Sequence, residues 1–198
     1  MSMWEERYSQ HAYAYGKDPN DFVVEVAVRI PAGGRVLCIA EGEGRNAVYL
    51  ASRGHEVHTI DGSAAGVRKT QRLAAERGVT VHARHRDLAD ADLGRDWQAI
   101  VAIFAHLPQP LRAEVHQRCV AALAPGGVML LEAYTPRQLA RKTGGPPVLG
   151  MLMEPADLRQ ELAGLTFERL EEKERDVTEG RFHHGVAAVV QVIGVKPA

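Results

Sequence analysis

An α/β fold, doubly wound around a mostly parallel sheet, is predicted by three features of this 198-residue sequence. Short apolar runs alternate with helix-length segments of helical periodicity, the pattern of βαβ crossovers. A glycine turn, Ile39-Ala40-Glu41-Gly42-Glu43-Gly44-Arg45-Asn46-Ala47, directly follows the first of those runs. The chain ends differently, in two strand-like runs joined by a short turn, which reads as an antiparallel hairpin at the sheet edge.

The elements follow in order. Trp4 to Asp21 mixes Trp4, Tyr8, Tyr13 and Tyr15 with charges. It reads as a terminal helix packing its aromatics on the body, or as a flap over a site. Gly16 to Asn20 punctuates a turn, and Phe22 to Ile30 has helical spacing until Pro31-Ala-Gly-Gly34 stops it. Val36 to Ala40 is the first strand. Ala47, Val48, Leu50 and Ala51 form a helix face closed at Gly54. Val57 to Ile60 is the second strand, ending at Asp61. Ser63 caps a helix that runs to Arg77 and closes at Gly78. Val79 to Ala83 is the third strand, ending near Asp87, and Ala99 to Phe104 the fourth. The next helix carries Leu111, Val115, Cys119 and Leu123 on one face, with Arg112 in solvent. Ala124-Pro-Gly-Gly127 precedes the fifth strand, Val128 to Leu131. The long connection Thr135 to Met153 contains Gly144-Gly-Pro-Pro147, and loops of that length are usually functional or mobile. Pro155 to Leu162 is a helix with proline in its first turn. Thr166 to Val177 and Gly185 to Val195 form the hairpin, with Glu171 to Asp176 as a solvated face.

Composition narrows the function. Apolar residues make up 45% and charged residues 25%, as in ordinary globular proteins, and the length fits one domain. We divide it into 1–34 (N-terminal helices and flap), 35–134 (cofactor-binding core) and 135–198 (acceptor-side loop, helix and hairpin). Lys plus Arg is 24 and Asp plus Glu is 25, so the net charge of −1 gives no case for nucleic acid or an anionic membrane as partner. The nine histidines show no HExxH or similar metal-ligand spacing. Cys38 and Cys119 read as reduced core residues. The polar N-terminus is no signal peptide, and the apolar run Val186 to Val195 is too short to span a bilayer, so a cytoplasmic location is expected.

Gly42-Glu43-Gly44-Arg45-Asn46-Ala47 fits G-x-G-x-x-G/A, and Asp61 follows Gly44 by seventeen residues, at the end of the second strand. An adenosine-type ligand is therefore expected over the strand ends. Glu41 and Glu43 discriminate among such ligands. A pyrophosphate there meets like charges at a penalty of about 1 to 4 kcal/mol per close pair. S-adenosylmethionine has no phosphate, and its cationic sulfonium and amino groups suit acids. Each glutamate can instead point to water.

The whole chain resembles the class I S-adenosylmethionine-dependent methyltransferases, in the branch of the tellurite-resistance and thiopurine methyltransferases. The pieces are WEERY and YAYGKDPNDF, then VLCIAEGEGRNAVYLA, HTIDGS, RDLAD, LAPGGVMLLEAY and a terminal GVKP, in that order. The resemblance implies a Rossmann-like, seven-stranded sheet with six strands parallel and one reversed. It implies S-adenosylmethionine as cofactor, held by the turn (Ala40, Glu41, Gly42, Gly44, Arg45 and Asn46). Asp61 would hold the ribose hydroxyls, with Gly62 and Ser63 against ribose and adenine. Asp87 would sit by the adenine amino group and Leu88 beside the ring. Phe104, Ala105 and His106 would line the methyl-group end, with Tyr15 as an aromatic cover for the sulfonium. Three positions depart from the family pattern. Cys38 replaces the usual strand acid, Ala40 the first glycine, and Gln98 an acid of the fourth strand. Glu41 is a candidate to restore the charge lost at Cys38.

Methyl transfer needs position and exclusion of water rather than a protein nucleophile. A base is needed only where the acceptor must lose a proton. His106 is the candidate, with a packed, hydrogen-bonded role as its alternative. His183 and His184 are surface residues, or one of them faces the site; Tyr134 is placed to line an acceptor pocket. The expected function is methylation of a small molecule, with thiol, selenium and tellurium species as candidate acceptors. The alternatives are a non-catalytic S-adenosylmethionine-binding module and an NAD-dependent oxidoreductase.

Overall fold

The computed structural model describes residues 2–198. Helix α1 (Met3–Tyr8) is followed by an irregular segment and α2 (Asp21–Val26). The core then runs β1 (Arg35–Ile39), α3 (Arg45–Ser52), β2 (Glu56–Asp61), α4 (Ala64–Glu76), β3 (Val81–His85) and β4 (Trp97–Ile103). It continues through α5 (Leu111–Ala122), β5 (Leu123–Tyr134), α6 (Pro155–Glu161), β6 (Thr166–Glu179) and β7 (His183–Val195). The sheet order is β3-β2-β1-β4-β5-β7-β6. The first five strands in that order are parallel, and β7 is antiparallel to both its neighbours. Six strands thus share one direction and one is reversed, as the resemblance implied.

Side chains alternate across a strand, so each central strand feeds two cores. Leu37 and Ile39 of β1 join Ile100, Met129 and Leu131 against Val115 and Cys119 of α5. Val36 and Cys38 join Val101 and Leu130 against Phe22 and Val26 of α2 and Leu50 of α3. Burial on both faces explains why these strands read as unbroken apolar runs. Each fully buried Val, Leu or Ile contributes about 1.5–3 kcal/mol. Cys38 and Cys119 lie in different cores as free thiols, and burial pushes both thiols up. Gln98, at the place of the family's acid, accepts the Arg35 backbone N–H at 2.7 Å and ties the start of β1 to β4.

Several boundaries differ from expectation. The helix expected to reach Ile30 stops at Val26, and Ala27–Arg29 tightens into a 3-10 turn. Strand β3 begins two residues late because Val79 donates to Ala74 O and finishes the cap of α4. Leu123, expected on α5, has the extended backbone of a strand residue and opens β5. The expectation of a solvated Arg112 is corrected. Its side chain is 2% exposed and clasps Glu161 of α6. Glu171 to Glu174 are exposed as expected, but Arg175 turns inward to the fully buried Glu132. Among the described residues no helix is long and apolar enough to cross a membrane.

Candidate functional site

The chain turns left-handed three times after β1, at Ala40 (φ 48), Gly42 (φ 66) and Gly44 (φ 89). Such backbone costs a residue with a Cβ about 1–2 kcal/mol, so Ala40 carries strain that the family's glycine would not. Ala40→Gly is expected to leave stability unchanged or raise it by up to about 1 kcal/mol, because glycine's extra unfolded-state entropy partly offsets the relief. A melt in which the variant loses more than about 1 kcal/mol would show that Ala40 is unstrained.

The two glutamates of the turn separate. Glu41 folds over the start of α3, where its Oε1 accepts the N–H groups of Asn46 and Ala47, each at 2.9 Å. Its Oε2 takes no hydrogen bond among the described residues. Burial pushes its carboxyl up to about 7, against the pull of those bonds and of Arg45. Glu43 does not line the cavity and is buried in contacts with other parts of the chain. It is 4% exposed, accepts the Ala14 N–H at 2.7 Å and pairs with Lys69 at 2.7 Å, which pins the N-terminal segment. Asp61, at the end of β2, accepts the N–H of Gly42 at 2.7 Å and of Ser63 at 2.8 Å. Burial raises its pKa and these two bonds oppose the rise.

Helix α1 covers this region. Glu5 takes the Ser63 hydroxyl at 2.5 Å and the Ala65 N–H at 3.1 Å. Tyr8 lies on Gly42 so closely that a Cβ there would stand 2.6 Å from its hydroxyl. Only glycine admits both the left-handed backbone and this ring.

A cavity of about 680 Å³ opens beside the turn, at the carboxyl ends of β1, β4 and β5, where open α/β sheets bind ligands. Of the expected site residues, Ala40, Glu41, Arg45, Asn46, Tyr15, Phe104 and His106 line it. Gly42, Gly44 and Asp61 are packed within the turn and do not line it. Gly62 and Asp87 are exposed, Asp87 accepting the Ala89 N–H, and Ser63 caps α4. Leu88 and Ala105 belong to the core. Arg45 reaches Glu179 at 2.6 Å, and Asn46 accepts the Asn20 N–H at 2.9 Å.

The wall opposite the turn is aromatic. Phe104, itself left-handed at φ 52, stacks on Tyr134 with centroids 4.5 Å apart. His106 lies parallel to Tyr134 at 5.6 Å. Its Nδ1 lies 2.8 Å from Met151 O, and its Nε2 accepts the Tyr134 N–H at 3.3 Å. Burial drives its pKa down to about 4. Both nitrogens are therefore spent on backbone, which supports the packed role weighed for His106 and leaves it no lone pair for an acceptor's proton. Tyr134 lines the cavity, as its place after the fifth strand suggested. Its buried hydroxyl has no hydrogen-bond partner among the described residues, and burial raises its pKa. The connection after β5 lies over it: a Cβ at Gly145 would stand 2.7 Å from the Tyr134 ring. His183 also faces the cavity, paired with Glu179 through Nδ1 at 3.3 Å. Sequence reasoning missed Glu179. The available signal was its placement, opposite His183 across the Gly180–Phe182 turn.

Comparison with known proteins fits this geometry. A methyltransferase domain model matches residues 36–127. Hemagglutinin 1 of Eikenella corrodens is 28% identical over 119 residues, covering 59% of this chain and 40% of that protein. The chain thus matches about two fifths of the length of that curated relative. Among solved structures, TehB from Haemophilus influenzae superposes with a TM-score of 0.74 at 16% identity, covering 98% of this chain and 65% of TehB. The magnesium protoporphyrin IX methyltransferase ChlM of Synechocystis PCC 6803, with bound SAH, gives 0.68 at 21% identity over 89% of this chain and 82% of ChlM. A structure describing conversion of a disulfide bond into a thioacetal group during echinomycin biosynthesis gives 0.76 at 16% identity, covering 98% of this chain and 91% of that chain. The fold is the α/β methyltransferase fold. Residues 36–127 are similar to a methyltransferase domain.

Proposed function

We propose that the chain transfers a methyl group from S-adenosylmethionine to a small acceptor held in the 680 Å³ cavity. The observation that carries this reading is the charge of the glycine turn. Its one cation, Arg45, is neutralised by Glu179 at 2.6 Å, while Glu41 keeps an uncommitted carboxylate oxygen. That arrangement suits a cationic nucleoside and disfavours a pyrophosphate. When bound, S-adenosylmethionine supplies an electrophilic methyl group on a sulfonium. In this reading Glu41 and Tyr15, which line the cavity, would hold its amino group and face the sulfonium, and Asp61, which does not line the cavity, would take the ribose hydroxyls beneath α1. Phe104, Tyr134 and the loop at Gly144-Gly145 exclude water from the methyl end. The branch we favour is that of tellurite-resistance and thiopurine methyltransferases, supported by the sequence resemblance and by the likeness of fold to TehB. Its acceptors would be thiol, selenium or tellurium species.

Calorimetric titration tests the reading. S-adenosylmethionine and its demethylated product should bind, and NAD should not; the reverse pattern removes it. Turnover on thiol, selenite and tellurite then separates an enzyme from a binding module. The titration should also depend on pH. A carboxyl with its pKa near 7 loses its proton between pH 6 and 8, and only the anion attracts an ammonium group. Affinity should therefore rise over that interval in the wild type and stay flat in Glu41→Gln. A variant with unchanged affinity and unchanged pH dependence removes Glu41 from the amino-group contact.

A further inference from the structure

We propose that His183, oriented by Glu179, is the base that takes the acceptor's proton, and that the acceptor therefore carries an ionisable X–H group. The inference rests on the methyl-transfer reading above. Its basis is a division of labour among the histidines around the cavity. His106 has both ring nitrogens bound to backbone. His184 is exposed at the mouth. His183 is 5% exposed, lines the cavity and spends only Nδ1.

Glu179 is held firmly enough to orient it. One carboxylate oxygen accepts Asn20 Nδ2 at 2.8 Å, and the other accepts Arg45 at 2.6 Å and faces His183 Nδ1 at 3.3 Å. Burial pushes this carboxyl up, but the His183 hydrogen bond and the Arg45 charge outweigh it and hold it at about 2. An ionised carboxylate can only accept, so Nδ1 carries the hydrogen and the lone pair sits on Nε2. Among the described residues Nε2 has no hydrogen-bond partner. The ring is fixed by Tyr15, Phe104 and Tyr134, with centroids 4.5, 4.9 and 5.2 Å away. The Tyr134 hydroxyl, without a hydrogen-bond partner among the described residues, and the His183 ring both border Gly144. A Cβ on Gly144 would meet that hydroxyl at 3.0 Å and His183 Cδ2 at 2.8 Å.

The charged and titratable groups facing His183 are Glu179 of β6, Arg45 of α3, Arg7 of α1, and Tyr15, Tyr134 and His106. Burial lowers its pKa, the Glu179 bond and charge raise it, and Arg45 and Arg7 lower it. The net lowering leaves the neutral, basic form in place at pH 7. In the step, the X–H proton passes to Nε2, and the freed pair on X forms the bond to the methyl carbon. The carbon–sulfur bond breaks with its electrons left on sulfur, and the imidazolium returns its proton to water.

The test uses two thiols, benzyl mercaptan, which is protonated at neutral pH, and para-nitrobenzenethiol, which is already the thiolate. In His183→Asn, kcat on benzyl mercaptan should fall about 10²- to 10⁴-fold with little change in KM. The loss on the thiolate should be at least about tenfold smaller, since no proton remains to be taken. Glu179→Gln should move the acid limb of kcat/KM to lower pH, because the charge that favours the imidazolium is gone. Equal losses on both thiols, or none, overturn the proposal. So does a wild type that binds the demethylated cofactor and methylates neither thiol. A wild type that binds no S-adenosylmethionine at all overturns the methyl-transfer reading instead. His183→Gln, with a melt to confirm folding, guards against an unfolded variant.

Discussion

Arg112→Ala is expected to lower the free energy of unfolding by about 3–5 kcal/mol, the range for removing one partner of a buried ion pair. The side chain is 2% exposed on the first turn of α5. Its Nε lies 3.1 Å from both oxygens of Glu161, Nη2 lies 2.7 Å from one of them, and Nη1 donates to Leu152 O at 2.8 Å. His116, one helical turn on, adds a contact of 2.7 Å to the same carboxylate. Burial pushes Glu161 up, and the His116 and Arg112 bonds overcome it and hold it at about 2. A carboxyl depressed in the folded state adds stability that is present above its ordinary value of 4.5 and is lost as pH falls toward 2. Without Arg112 the carboxylate stays buried with a weaker set of donors. Urea unfolding at pH 7 measures the loss, and the wild type's acid-side loss of stability should shrink in the variant. A change below about 1 kcal/mol would mean that Glu161 finds water when Arg112 is gone.

The same cluster shows why parts of the molecule were legible in sequence and parts were not. Strands β1, β4 and β5 could be read because burial on both faces makes their middles, 36–39, 99–103 and 128–131, unbroken apolar runs. The glycine turn could be read because left-handed backbone leaves its mark in residue type, and Asp61 because a strand end fixes its place. Arg112 could not be read. An arginine in a first helical turn looks solvated, and its partner Glu161 is forty-nine residues away, on another helix. Glu43 failed for the same reason, since its partners, the Ala14 N–H and Lys69, come from an irregular segment and a distant helix. His106 sat where expected, but its chemistry is set by a carbonyl of the 135–153 connection, whose path no periodicity encodes. Each failure involves a polar group whose partner lies far away in sequence.

Asp61→Ala separates two roles that coincide in one side chain. As a structural link, Asp61 satisfies the N–H groups of Gly42 and Ser63 and so ties the glycine turn to β2. Leaving such buried donors without an acceptor costs about 1–3 kcal/mol, and a melt of the ligand-free protein should show it. As a ligand contact, it would accept ribose hydroxyls. Losing charged hydrogen bonds of about 1.5–3 kcal/mol then weakens the demethylated cofactor roughly 10- to 100-fold, at 1.4 kcal/mol per decade. Asp61→Asn keeps one carbonyl oxygen in place and removes the charge. It should recover part of the stability while binding stays weak, because a neutral amide cannot accept from a backbone N–H and a ribose hydroxyl on each of two oxygens. If both variants lose stability and keep the wild-type dissociation constant within about twofold, Asp61 serves the turn alone, and the ribose end of the ligand must lie elsewhere under α1.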